Sequence, residues 1–229
     1  MVSTSSPASG TQRSRSLLRA AAVVVGSWVV ILAVVLAVGW LLTHALRSVV
    51  LPWDNGLSRW IAGERTGWLN EPADVGTFLG ETVTVALLAG LAVALWRRSW
   101  RPLLFVVLAE AGIGGFYALA TTLDPRQRPP VKILDPGLVA DHSFPSGHTA
   151  TAVVAYAGIV LLLRAYSHAW RWALALLVVP VVVVLARLYQ GAHHLTDVLT
   201  SLGYASTYLL VVARQVLPGP LERDARESA

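Results

Sequence analysis

The sequence predicts an all-α protein, a bundle of six membrane-spanning helices with a polar site at one end. Composition is the first reason. Of 229 residues, 55% are hydrophobic and only 14% are charged, whereas soluble domains carry about 25% charged residues. So little charge cannot wet the surface of a globule this apolar. The second reason is pattern: apolar runs of spanning length recur between short polar clusters. Cysteine is absent, which excludes disulfide frameworks, Cys-ligated zinc, iron–sulfur clusters and thiol catalysis. The formal charge of +5 would suit nucleic acid, but the basic residues fall between apolar runs and form no basic face. Membrane lipids, not nucleic acid, are the predicted surroundings.

The elements follow in order. Residues 1–16 are polar, Ser/Thr-rich and basic, which predicts a disordered cytoplasmic tail. Ala20–Leu46 holds no acidic or basic residue except His44; it is too long for a signal-peptide core and predicts an anchored span. Further spans are predicted at Val75–Trp96, Pro102–Leu123, Ser146–Leu163, Trp172–Tyr189 and Leu195–Val212, giving a six-helix domain over residues 17–213. Residues 214–229 read as a second cytoplasmic tail. Pro180 predicts a kink in the fifth span.

Orientation comes from the basic residues. With the N-terminus inside, eleven Arg face the cytoplasm, and six Arg plus Lys132 face outward among eight Asp and Glu. Both termini are therefore predicted inside, in the plasma membrane of a bacterial cell. Two outward loops stand out. Residues 47–74 place Trp53, Trp60 and Trp68 among charges, the composition of a segment in the headgroup layer. Residues 124–145 are rich in Pro, charge and His, and have no spanning pattern.

Three stretches carry side chains suited to chemistry: Arg126-Gln127-Arg128-Pro129-Pro130, Pro145-Ser146-Gly147-His148, and Arg187 through Asp197. In an up-and-down bundle all three reach the same face. Ser146 is a good N-cap, and the free N–H groups at Gly147, His148 and Thr149 make a ready anion site. Gly147 permits close backbone approach. Arg128 and Arg187 offer planar forks that match phosphate oxygens. His193 and Asp197, four residues apart, share a helical face, so that the carboxylate holds one ring nitrogen and sharpens the other. His148 arrives from another helix as a general acid. Glu81 lies near enough to reach this pocket. Glu110 sits deeper and predicts a neutral or hydrogen-bonded structural group. His194 points away toward a loop or headgroup, and Asp141 and His142 are placed to gate the site.

Arg128-Pro129, Pro145-Ser146-Gly147-His148 and Arg187-x5-His193-x3-Asp197 resemble the three motifs of the type 2 phosphatidic acid phosphatases, the membrane branch of the vanadium haloperoxidase-like superfamily. The resemblance runs from about Leu51 to Val212. It implies that His193 is a nucleophile forming a phosphohistidine, with Asp197 as its orienting partner. It implies that His148 protonates the leaving group and then activates water, and that Arg128, Arg187, Ser146 and Gly147 stabilise the equatorial oxygens. No metal and no cofactor are implied. Two positions depart from the family pattern. Its Lys, seven residues before the first motif's Arg, is Thr121 here, with Arg126 and Lys132 as candidates for the missing cation; its Ser before the third motif's Arg is Ala186.

The expectation is an integral-membrane phosphatase acting outward on a lipid phosphate or diphosphate, first a polyprenyl diphosphate carrier such as undecaprenyl diphosphate. Phosphatidate and phosphatidylglycerophosphate are the alternative substrates. A lipid-phosphate binding or transport module that has lost turnover is the alternative from another class, favoured by Thr121 and Ala186.

Overall fold

The structure is a computed structural model and describes residues 8–219. It is helical almost throughout. Helix α1 (Ala8–Trp40) runs into a π turn at Leu41–Ala45 and is followed by α2 (Arg47–Gly63), α3 (Gly67–Phe78), α4 (Val83–Arg97) and α5 (Arg101–Leu123). After the loop come α6 (Gly147–Ala152), a π turn at Val153–Ala157 and α7 (Gly158–Tyr166). The short α8 (Trp170–Ala173) leads through a 3₁₀ turn into α9 (Val178–Tyr189), and α10 (Leu195–Val216) ends the bundle.

Five helical stretches are long and apolar enough to cross a membrane, and a bent pair makes six. The first of them is Ser14–Ala45. Because α1 already begins at Ala8, residues 8–16 are helix and not the disordered tail the composition suggests; residues 1–7 lie outside the described residues. Of the second predicted tail, residues 214–216 belong to α10 and residues 220–229 lie outside.

The second predicted span, Val75–Trp96, is not one helix. Helices α3 and α4 meet at 45° across residues 79–82. Gly80 lets the break press into the bundle: a Cβ there would stand 3.0 Å from both His148 Cβ and Val183 Cγ1. The Gly80 carbonyl, freed from the helix ladder, accepts from the Thr151 hydroxyl at 2.5 Å. Tertiary partners thus hold what the local apolar run would have continued. The break leaves Glu81 at the site end of the bundle.

Small residues set the helix contacts. Gly76 brings α3 against α9, where an added Cβ would fall 2.7 Å from Ala186 Cβ. Gly112 does the same for α5 and α10, where an added Cβ would overlap the Tyr208 ring. Close backbone approach of this kind is how membrane helices pack without a hydrophobic drive. The core centres on Phe105, Phe116, Phe144, Leu162 and Leu209, all nearly or wholly buried. Trp28 of α1 stacks on Phe116 at 5.2 Å, and Tyr204 and Tyr208 of α10 meet the same ring edge-on. Trp28 Nε1 donates to the Gly112 carbonyl at 3.0 Å. Along the 47–74 segment, Trp53, Trp60 and Trp68 all point outward and are exposed.

Loop 124–145 is irregular yet tied to itself. Arg126 and His142 form a parallel bridge, with Arg126 N–H donating to the Asp141 carbonyl at 2.8 Å and Ser143 N–H to the Arg126 carbonyl at 3.0 Å. This sets Arg126 beside Ser143, and Arg128 beside Ala140.

Candidate active site

A cavity of about 300 Å³ opens where α5 and α9 end and α6 begins, beside the break between α3 and α4. Its walls include Arg128, Gly147, His148, Arg187 and His193, with Glu81, Tyr117 and Thr151 beside them. The three sequence stretches therefore converge, and five of the predicted site residues share one cavity.

His193 lies just before α10, whose N-cap is His194. The i,i+4 stacking predicted for His193 and Asp197 assumes both are helical, and His193 is not. Its Nδ1 donates to the Ser143 carbonyl at 2.7 Å, while the Asp197 carboxylate stands 3.9 Å away. Because a carbonyl only accepts, the proton sits on Nδ1 and the free lone pair is on Nε2. Asp197 reaches the ring at second hand: its Oδ2 accepts from the Ser143 hydroxyl at 2.6 Å and from the His194 N–H at 2.8 Å. Burial first, then the Arg187 charge, hold the His193 pKa well below the ordinary imidazole range, against the opposing pull of Asp197.

Arg187 is fully buried. Its Nη1 is given to Asp135 at 2.7 Å, with Gln190 and Thr77 at 3.1 and 3.3 Å. Among the described residues its Nε and Nη2 have no hydrogen-bond partner, and neither does His148 Nε2, which lies 3.6 Å from Glu81 Oε1. Arg128 anchors itself on the carbonyls of Val139 (2.8 Å) and Ala192 (2.5 Å). Burial, and then the neighbouring Arg187 charge, push the Arg128 guanidinium down from its usual value. Two cations that oppose one another, with donors left over, make a pocket that an anion would stabilise.

Ser146 is wholly buried and caps α6, its hydroxyl accepting from Thr149 N–H at 3.4 Å and Thr149 Oγ1 at 3.0 Å. That hydroxyl shapes the helix start and does not line the cavity. Gly147 does line it, and an added Cβ would make only ordinary contact with Tyr117 at 3.5 Å.

Neither candidate for the missing cation fills that place. Both Nη groups of Arg126 are given to carboxylates, Asp197 and Asp54. The Lys132 side chain is exposed and outside the cavity walls. Thr121 is buried and bonds back to the Tyr117 carbonyl at 2.9 Å. Among the described residues lining the cavity, Arg128 and Arg187 are the fixed cations.

Several contributors escaped the sequence reading. Thr151 follows Gly147 by four residues on one helix, a spacing that places it on the same face and was legible. Ser143 and Asp135 carry no local signal. His194, predicted to meet a headgroup or loop, is buried and its Nε2 bonds Asn55 Oδ1 at 2.9 Å. His142 lies edge-on to the Tyr117 ring.

Two arginines and two histidines around one cavity, in a bundle of membrane-length helices, make an arrangement suited to a phosphate. The chain belongs to the PAP2 superfamily, whose family model matches residues 99–218. Its fold is similar to the crystal structure of a transmembrane PAP2-type phosphatidylglycerolphosphate phosphatase from Bacillus subtilis, at a TM-score of 0.68 and 25% identity over 81% of this chain and 94% of that one. No protein of curated function matches it.

Proposed function

We propose that this phosphatase hydrolyses the terminal phosphate of a lipid phosphate or diphosphate through a phosphohistidine on His193, at the outer face of the cell membrane. The observation that carries the reading is the buried Arg187 guanidinium, whose Nε and Nη2 find no partner among the described residues, in a cavity shared with His193 and His148. A buried donor left unmet costs about 1–3 kcal/mol, and phosphate oxygens meet it. The fork of Arg187, Arg128 and the amides of the α6 N-terminus hold the equatorial oxygens.

Nε2 of His193 then attacks phosphorus. The bond to the leaving oxygen breaks, and His148 gives that oxygen a proton. His148 next takes a proton from water, the water oxygen bonds to phosphorus, the N–P bond breaks, and phosphate leaves. Ser143 and Asp197 keep the His193 ring in register throughout.

For the lipid, a polyprenyl diphosphate is the first candidate. Similarity to the Bacillus subtilis enzyme favours phosphatidylglycerophosphate as the second. The test is phosphate release by purified protein offered prenyl diphosphate, phosphatidylglycerophosphate and phosphatidate side by side in EDTA. The reading expects turnover in EDTA and inhibition by orthovanadate, which mimics trigonal-bipyramidal phosphorus. Activity abolished by EDTA and restored by magnesium would refute this mechanism. Tight binding of a lipid phosphate with no release would favour the transport-module alternative.

A further inference from the structure

Asp54 is fully buried on α2, a helix whose other face exposes Trp53 and Trp60. A carboxylate so enclosed persists only if its lone pairs are met and its charge is balanced. Both conditions are met from the catalytic side of the bundle. Oδ1 accepts from the backbone N–H groups of Leu195 (3.1 Å) and Thr196 (3.5 Å), donors that the first turn of α10 leaves free. Oδ2 accepts from the Thr196 hydroxyl at 2.5 Å and from Arg126 Nη2 at 2.9 Å. Arg126 gives Nη1 to Thr196 Oγ1 at 2.7 Å and to Asp197 Oδ1. Asp197 Oδ2 takes the Ser143 hydroxyl, and the Ser143 carbonyl takes His193 Nδ1. Hydrogen bonds thus lead from α2 to the ring of His193, with one covalent step through Ser143 from its hydroxyl to its carbonyl.

We infer that Asp54 is a positioning residue for the nucleophile, acting through Arg126 and Asp197. The inference rests on the phosphohistidine reading above, and it lies outside the residues that the family model matches. Arg126 stands between two carboxylates and divides its charge between them. When His193 Nε2 bonds to phosphorus, Nδ1 keeps its proton and the ring becomes cationic. Asp197, 3.9 Å from that ring, is the carboxylate that meets the new charge. Neutralising Asp54 turns the whole charge of Arg126 onto Asp197. The field at the ring weakens where the low dielectric makes it count, and the Ser143 carbonyl loses its register.

The test uses the full chain in detergent, comparing wild type, Asp54→Asn, Asp197→Asn, their double variant and His193→Ala on an aryl phosphate. Asp54→Asn keeps the side-chain shape, and Arg128 and Arg187 are untouched. We expect kcat to fall about ten- to a hundredfold, the coupling range of groups in one network, with KM within about threefold. The whole effect of Asp54 passes through Asp197, so the double variant should lose no more than the larger of the two single losses. A wild-type kcat in Asp54→Asn overturns the inference. So does a double variant whose loss is the product of the singles, because that is how a merely structural role behaves. If Asp54→Asn yields no monodisperse protein, Arg126→Lys replaces the two-pronged fork that joins Asp54 to Asp197 with a single ammonium of the same charge, and the same comparison with Asp197→Asn decides. Wild-type turnover no greater than that of His193→Ala would instead refute the phosphohistidine reading.

Discussion

His193, His148 and Asp197 line up with three distinct chemical failures. His193→Ala should form no phosphoenzyme and fall to background. His148→Ala removes a proton donor, a loss of roughly 10²–10⁴-fold. An aryl phosphate with an acidic phenol needs no such donor, so phosphohistidine should accumulate in that variant as acid-labile, base-stable label. Label on another residue would refute the nucleophile assignment. Asp197→Asn should lose activity partially, and no leaving group should rescue it. The protonation of His193 gives a second prediction. Its folded pKa is depressed, by burial first and then by Arg187, so the ring stays neutral as pH falls below the unfolded value of about 6.5. Unfolded chains bind that proton and the native state does not, so this group's contribution to stability is lost as pH falls. Carbon-13 NMR of labelled histidine should show a ring signal, absent in His193→Gln, that fails to titrate between pH 7.5 and 5.5; a midpoint near 6.5 for that signal would contradict the burial argument.

Helices were legible wherever an apolar run could be read by its length, as in Arg101–Leu123 and Leu195–Val216. The break in the second span was not, because contacts distant in sequence decide it: Thr151 on the Gly80 carbonyl and Val183 against Gly80. The same division runs through the site. Arg128, His148, Arg187 and His193 sit in contiguous motifs and could be picked out. Ser143 and Asp54 owe their places to partners 50 or more residues away, and no local pattern announces them. The assumption that His193 is helical misdirected the expected bond to Asp197. Packing at this scale is tested by Gly76→Leu. Its side chain would drive α3 off α9, and with it Thr77, whose hydroxyl donates to Gln190 at 2.6 Å beside Arg187. A marked fall in thermal midpoint together with weaker vanadate binding is expected. Unchanged values would mean that the two helices have room to part.

For the whole molecule, the prediction is a sidedness. The native chain has no cysteine, so single cysteines report cleanly. With both termini inside, cysteines at Ser14 and Ser99 should resist impermeant thiol reagents in intact cells, and one at Ala140, on the exposed loop, should react. The reverse pattern would place the site in the cytoplasm. The bond between α2 and the first turn of α10 also limits how the protein can be rebuilt. Residues 99–218 carry every recognisable motif, yet the carboxylate that seats α10 comes from Asp54. Those motifs are therefore not a portable cassette. Grafted behind the first four helices of a relative that offers no acid at this place, they should insert in the membrane with all their catalytic side chains and turn over slowly, and restoring one aspartate on the donor's second helix should recover the rate.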